Sequence, residues 1–85
     1  MNNERRKRIA DAKRKVEEAR STLEDAISMF ESIRDEEQEA YDNMPESLQG
    51  GERGEKSQEA ISTIDDYISM LQEAVDADTS GLEDL

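Results

Sequence analysis

The chain has no cysteine, no histidine and no tryptophan, and only one proline, one phenylalanine and two tyrosines. Without cysteine there can be no disulfide, thiol catalysis or thiolate metal site. Without histidine the chain lacks the usual acid–base group near neutral pH and the commonest metal ligand. No apolar run exceeds two residues, far short of the roughly 20 that cross a bilayer. The opening MNNERRKRI carries basic residues with no apolar stretch behind them, so no secretory signal is expected and the cytoplasm is the expected location. Aromatic residues are 4% and hydrophobic residues 33% of the 85. A chain of this size buries only about 60% of its unfolded surface, so the core is thin and oligomerisation is the expected stabiliser.

What the chain does have is charge. Charged residues make up 40% and the net charge is −12. The distribution is uneven: residues 1–20 hold eight basic groups and four acids, net +4, and residues 21–85 hold three basic groups and nineteen acids, net −16. Such an asymmetry bears on partner choice and self-association more than on fold.

Apolar residues step by three and four from Ile9 through Ala12, Val16, Ala19, Leu23, Ala26, Phe30 and Ile33 to Ala40 and Met44, a helical period with only Glu37 out of pattern. Written as heptads, Ile9, Val16, Leu23, Phe30, Glu37 and Met44 take position a, and Ala12, Ala19, Ala26, Ile33 and Ala40 take d. A first helix is expected over about 3–43. Pro45 stops it, because the residue before a proline is pushed out of the helical region. Residues 45–48 can form one turn with Leu48 plugging the core's end, and Gly50-Gly51 free the backbone to reverse. A second stripe, Ala60, Ile61, Ile64, Tyr67, Ile68, Leu71, Ala74 and Val75, predicts a helix over about 52–77. Gly54 should weaken its first turn by about 1 kcal/mol. The acidic tail, 79–85, is expected to fray.

The expected fold is therefore all-α: an antiparallel two-helix hairpin, coiled-coil-like, over residues 1–78, within a homo-oligomeric helical bundle. Helix 2 is shorter, so Ala77 should reach only to Val16–Arg20. Residues 4–15 would then overhang, and Arg8, Ile9, Ala12, Lys13 and Val16 would form an oligomerisation surface against the acidic residues of another copy.

Glu37, Tyr41, Asn43, Arg53 and Lys56 are the candidate partner- or ligand-binding residues of the elbow, 44–51, and its flanks. A lone carboxylate in a seam needs a partner: either Glu37 pairs with Arg53 or Lys56 across the elbow, or it stays half exposed at a wide end. Glycine amides at the second helix start, with Arg53 and Lys56, offer a small-anion site on which Tyr41 could stack, or they are a charged turn. The P-loop pattern GxxxxGK[ST] is missing. Asp35, Glu36, Glu37, Glu39 and Asp42 do not follow EF-hand spacing and read as a solvated face. The basic cluster Arg5-Arg6-Lys7-Arg8 with Lys13-Arg14-Lys15 points around the helix and has no interleaved aromatics, so nucleic-acid binding is not expected.

The elbow residues Asp35-Glu36-Glu37-Gln38, Tyr41-Asp42-Asn43-Met44-Pro45-Glu46, Leu48-Gln49 and Glu52-Arg53-Gly54-Glu55 resemble a group of small helical proteins of phages, prophages and bacterial genomes. Their shared segment reads DEEQ-x-x-(Y/F)-DN-(M/L)-PE-x-LQ followed by ERGE. The resemblance covers about a quarter of the chain. It implies a phage connection and marks the elbow as a site, and it implies no particular activity. With no nucleophile–base pair and no cleft in one chain, catalysis and cofactors are not expected. Three binding functions remain: a phage-type protein that docks on a host or phage protein, as a host-protein modulator or anti-defence inhibitor; an oligomer that sequesters an anionic small molecule such as a nucleotide; or an acidic DNA mimic.

Overall fold

The computed structural model describes residues 1–85. It contains helices α1 (Asn3–Asp42), α2 (Glu46–Gln49) and α3 (Glu52–Val75), then a 3-10 helix over Ser80–Asp84, and no strand. The molecule is a rod of 68 × 15 × 14 Å. No helix is long and apolar enough to cross a membrane.

Helix α1 begins where Asn2 accepts the Arg5 N–H at 2.8 Å, satisfying one of the donors that a helix start leaves free. It ends at the residues before Pro45. Helix α3 lies along α1, and the contacts run in opposite order on the two helices. Tyr41 meets Gln58, Glu37 meets Ser57, Arg34 meets Asp65 and Arg20 meets Ala77.

The seam between them differs from the heptads expected above. On α1 the residues turned toward α3 are Arg20, Leu23, Ile27, Phe30, Arg34, Glu37, Tyr41 and Met44, all buried or half-buried. On α3 they are Gly54, Ser57, Ile61, Ile64, Ile68, Leu71 and Val75. Leu23, Phe30, Glu37 and Met44 keep their places, whereas Ala12, Ala19, Ile33 and Ala40 are exposed and Ala26 is half-buried. Ile27 is 5% exposed, and the arginines at 20 and 34 lay their aliphatic stems into the seam while their heads reach polar partners. The seam thus turns by one residue, because the stripe at Arg20, Ile27, Arg34 and Tyr41 offers larger packing volume than one of alanines.

Only Ile27 and Val75 among the apolar residues are buried. Leu48, expected to plug the core's end, is 40% exposed. The tail also departs from expectation. Thr79 and the 3-10 helix carry it along the first turns of α1, where Glu83 pairs with Lys13 and the Arg6 side chain donates to the Leu85 carbonyl. A hollow of about 490 Å³ lies there between Arg6, Ile9, Lys13, Leu82 and Leu85. So the N-terminal overhang has an intrachain neighbour on this side. Arg20 donates to the Ala77 carbonyl at 2.6 Å and places a cation at the end of α3, whose own last turn has no basic residue, as the helix dipole favours.

The tail turn is held by Asp78, whose carboxylate accepts the Ser80 N–H at 2.9 Å. That bond, the Ser80 side chain and the Arg20 charge hold the Asp78 carboxyl below its ordinary value of 3.8. A depressed carboxyl stabilises the fold above the unfolded value and loses that contribution as pH falls through the folded one. The Ser80 amide resonance is therefore expected to move toward its unfolded position only below about pH 4, and NMR titration of that amide checks it.

Candidate functional site

The elbow is built on one close approach. A Cβ placed on Gly54 would lie 1.9 Å from the Gln49 carbonyl oxygen and 2.5 Å from its carbon. The backbone at the end of α2 thus rests directly on the first turn of α3, a position only glycine can occupy. Gly50 and Gly51 have no such role. A Cβ on Gly50 meets nothing within 4 Å, one on Gly51 makes ordinary contacts at 3.6 Å, and no glycine has positive φ. The reversal that the doubled glycine was expected to supply is made with ordinary backbone angles.

With α2 seated, the Gln49 side chain donates to the Tyr41 carbonyl at 3.0 Å, which at the end of α1 also accepts the Met44 N–H at 3.1 Å. Ser57, 3% exposed, donates its hydroxyl to Glu37 Oε1 at 2.7 Å. Gln58 Nε2 donates to the Tyr41 hydroxyl oxygen at 2.8 Å. The carboxylate in the seam is therefore met by a serine, and not by the basic residues expected opposite it. Lys56 turns to Glu52 at 3.2 Å on the exposed side of α3, and Arg53, also exposed, forms no ion pair or hydrogen bond. Asn43 lies at the end of α1, its N–H on the Glu39 carbonyl at 3.0 Å. The structure thus brings Glu37 and Tyr41 together through Ser57, Gln58 and Gln49, and leaves Arg53 and Lys56 outside that cluster. No hollow is lined by Tyr41, Arg53 or Lys56, and the nearby carboxylates do not converge into a group that could hold a metal ion.

A hydroxyl bonded to a carboxylate stabilises a fold by about 1–3 kcal/mol, and the lower end applies where water can replace it. Ser57→Ala is accordingly expected to cost about 1 kcal/mol, read as a lower urea midpoint with an unchanged slope. Farther along the rod, on its exposed side, Arg34 donates to Asp65 at 3.0 Å and to Asp35 at 3.2 Å, and these bonds raise its pKa above the ordinary arginine value.

A second candidate surface lies along the rod. Reversing the direction of a right-handed helix reverses its sense as seen along the common axis, so residues one step before the seam positions fall on the same flank of both helices. On α1 these are Ala19, Ala26, Met29, Ile33 and Ala40 with Thr22, Glu36 and Asn43, the row continuing to Ala12, and on α3 they are Ala60, Tyr67, Met70 and Ala74 with Arg53, Lys56 and Thr63. Val16, in the seam row of Leu23 and Phe30, is exposed because α3 ends near the level of Arg20. Val16, Met29, Ile33, Tyr67 and Met70 are between 41% and 67% exposed. Ala26, Met29, Phe30 and Ile33 line a wholly apolar hollow of about 220 Å³. The other flank carries Glu17, Glu24, Glu31 and Gln38 on α1 with Gln58, Asp65 and Gln72 on α3. The rod therefore has one apolar flank and one acidic or amide flank.

The alternation of alanine with larger apolar residues was visible in the sequence, but it was assigned to the intrachain seam. Met29 and Met70, outside that heptad, were missed. Their seven-residue spacing from Thr22, Glu36, Thr63 and Ala77 gives no apolar signal. The basic residues divide in the same way: Arg6 and Lys13 face the tail, whereas Arg8, Ile9 and Ala12 line an open hollow with Met1 and Arg5. No protein-family model, curated protein or solved structure matches the chain.

Proposed function

We propose that this chain is a non-enzymatic binding protein, a helical hairpin that works by protein–protein contact through its apolar flank. The observation that carries this reading is the set Met29, Ile33, Tyr67 and Met70, four large apolar side chains left between 47% and 67% exposed on one side. In a chain with so few apolar residues, concentrating them on an open flank and not in the core favours association over solubility. Methionine and tyrosine suit such a surface, because one adapts its shape and the other adds a polar tip. The resemblance of the elbow to phage and prophage proteins supports a cytoplasmic setting in which a host or phage protein is the target.

Sequestration of a nucleotide has less support. Arg53 and Lys56 stand outside any hollow, and the Tyr41 hydroxyl already has a partner. The elbow network reads better as a lock that fixes the register of α1 and α3, on which the flank's continuity depends.

Cross-linking in cells distinguishes the flank from the rest of the surface. The wild-type chain should give discrete protein adducts that an Ile33→Glu, Met70→Glu double variant loses and a Glu24→Gln variant on the other flank keeps. The same adducts from all three would remove the flank from consideration.

A further inference from the structure

The geometry points to a second copy of this chain as the occupant of the apolar flank, packed antiparallel about a two-fold axis at Ala26 to form a four-helix bundle. This rests on the reading of that flank as a binding surface and adds its partner.

Charge along α1 selects both the partner and its direction. An axis at Ala26 sets Ala19 opposite Ile33 of the second copy and Ala12 opposite Ala40. Residues 6–17 then lie along residues 35–46 of the second copy. The first segment holds six basic residues and two acids, net +4, and the second holds six acids and no base, net −6. A parallel arrangement would set each of these segments against its own kind. Along the α1 row of the flank Arg8 and Lys15 stand at one end and Glu36 at the other, so the two antiparallel α1 helices meet with opposite charges at both ends. Opposed charges set register and partner choice more than affinity.

Shape agrees with charge. The flank of α1 is alanine at 12, 19, 26 and 40, and small residues let two helices approach closely around larger knobs. Ala26 lies at the axis, beside the hollow it forms with Met29, Phe30 and Ile33, which a side chain of the second copy can fill. The pairing of Arg34 with Asp65 and of Arg20 with Ala77 puts the level of Ala26 near Leu71 on α3. The same axis therefore crosses α3 beside Met70, so the two helices place apolar residues at one centre.

Extent is sufficient. From Ala12 to Ala40 the flank runs about 42 Å at 1.5 Å per residue, over a rod 15 Å wide. Its footprint is roughly 600 Å², and accessible area exceeds footprint, which brings it to the scale of the about 800 Å² per partner of stable interfaces. The tail does not obstruct it, since Glu83 and Leu85 lie on the side of Arg6 and Lys13. The single-copy core of Ile27 and Val75 gains its missing apolar layer from the same contact.

The chain has no cysteine, so one introduced thiol reports geometry directly. Ala26→Cys should oxidise to a disulfide-linked dimer, and Glu24→Cys on the opposite flank should not. Light scattering on the wild-type chain should give twice the 9.7 kDa chain mass, and Ile33→Glu with Met70→Glu should return it to one copy with its helical circular dichroism kept. A single-copy mass for the wild type at all concentrations, a mass of three or more copies, or equal disulfide yields at positions 24 and 26 would overturn the proposal. A single-copy wild type whose cellular adducts still depend on Ile33 and Met70 overturns the second copy alone. Loss of that dependence overturns the binding reading itself.

Discussion

Gly54→Ala is expected to lower the thermal midpoint by roughly 10 °C or more, although alanine is the better helix former by up to about 1 kcal/mol. The added carbon would lie 1.9 Å from the Gln49 carbonyl oxygen, with the carbonyl carbon at 2.5 Å and Cα at 2.7 Å. All three are backbone atoms, so no side chain can swing aside. Either α2 lifts from α3 or the first turn of α3 unwinds. Overpacking costs about 1–3 kcal/mol when side chains can adjust, and a rigid obstacle belongs at the upper end. At about 4–8 °C per kcal/mol for a domain of this size, the shift is easily measured. Gly50→Ala is the paired control. Gly50 has φ −82° and ψ −4° and open space around its Cβ position, so alanine there should be neutral or stabilise by about 0.4–1 kcal/mol through the unfolded chain. Comparable losses for the two variants would mean that α2 is not seated on Gly54. Hydrogen exchange at Ser47–Gly51 adds a local readout, since lifting α2 should release those amides before the rest of the rod.

The two glycines also mark how far the sequence could be read. The period of three and four, the stop before Pro45 and the restart near Glu52 are local signals, and they place α1 and α3 within two residues of where they lie. A close approach between backbones leaves no such signal. Gly54 read as a weak point in a helix, and the Gly50-Gly51 pair read as the hinge. Seam choice failed for a related reason. Hydropathy scores Arg20 and Arg34 as surface residues, but their stems pack well when Ala77 and Asp65 offer places for their heads. For Glu37 the sequence leaves two outcomes open, a cation across the elbow or partial exposure, because isolated carboxylates are costly to bury. At partial burial one hydroxyl, from Ser57, meets it instead. The tail read as frayed because its residues are small and acidic, and its neighbours, Arg6 and Lys13, are some 70 positions away in sequence.

Ile27→Ala should be the most damaging change in the seam. Ile27 is one of two buried apolar residues, and truncating such a side chain costs about 2–5 kcal/mol, the more where the surroundings cannot collapse into the space. Total stability for a chain of this length is on the order of 4–13 kcal/mol, so the loss is a large fraction of it. Ile33→Ala removes the same atoms from a residue that is 47% exposed in the single chain. At low concentration, where copies are apart, it should cost below about 1 kcal/mol, since much of the area it gives up was never withdrawn from water. The two variants should then respond differently to concentration. Ile27→Ala should remain strongly destabilised throughout. Ile33→Ala should fall further behind the wild type as concentration rises, because association stabilises only the form that can pair. Urea unfolding at micromolar and millimolar chain concentration separates the cases. Equal losses at low concentration would return residue 33 to the intrachain seam and remove the apolar flank. A large loss for Ile27 with a concentration-independent small one for Ile33 would keep the seam as described and leave the flank without a second copy.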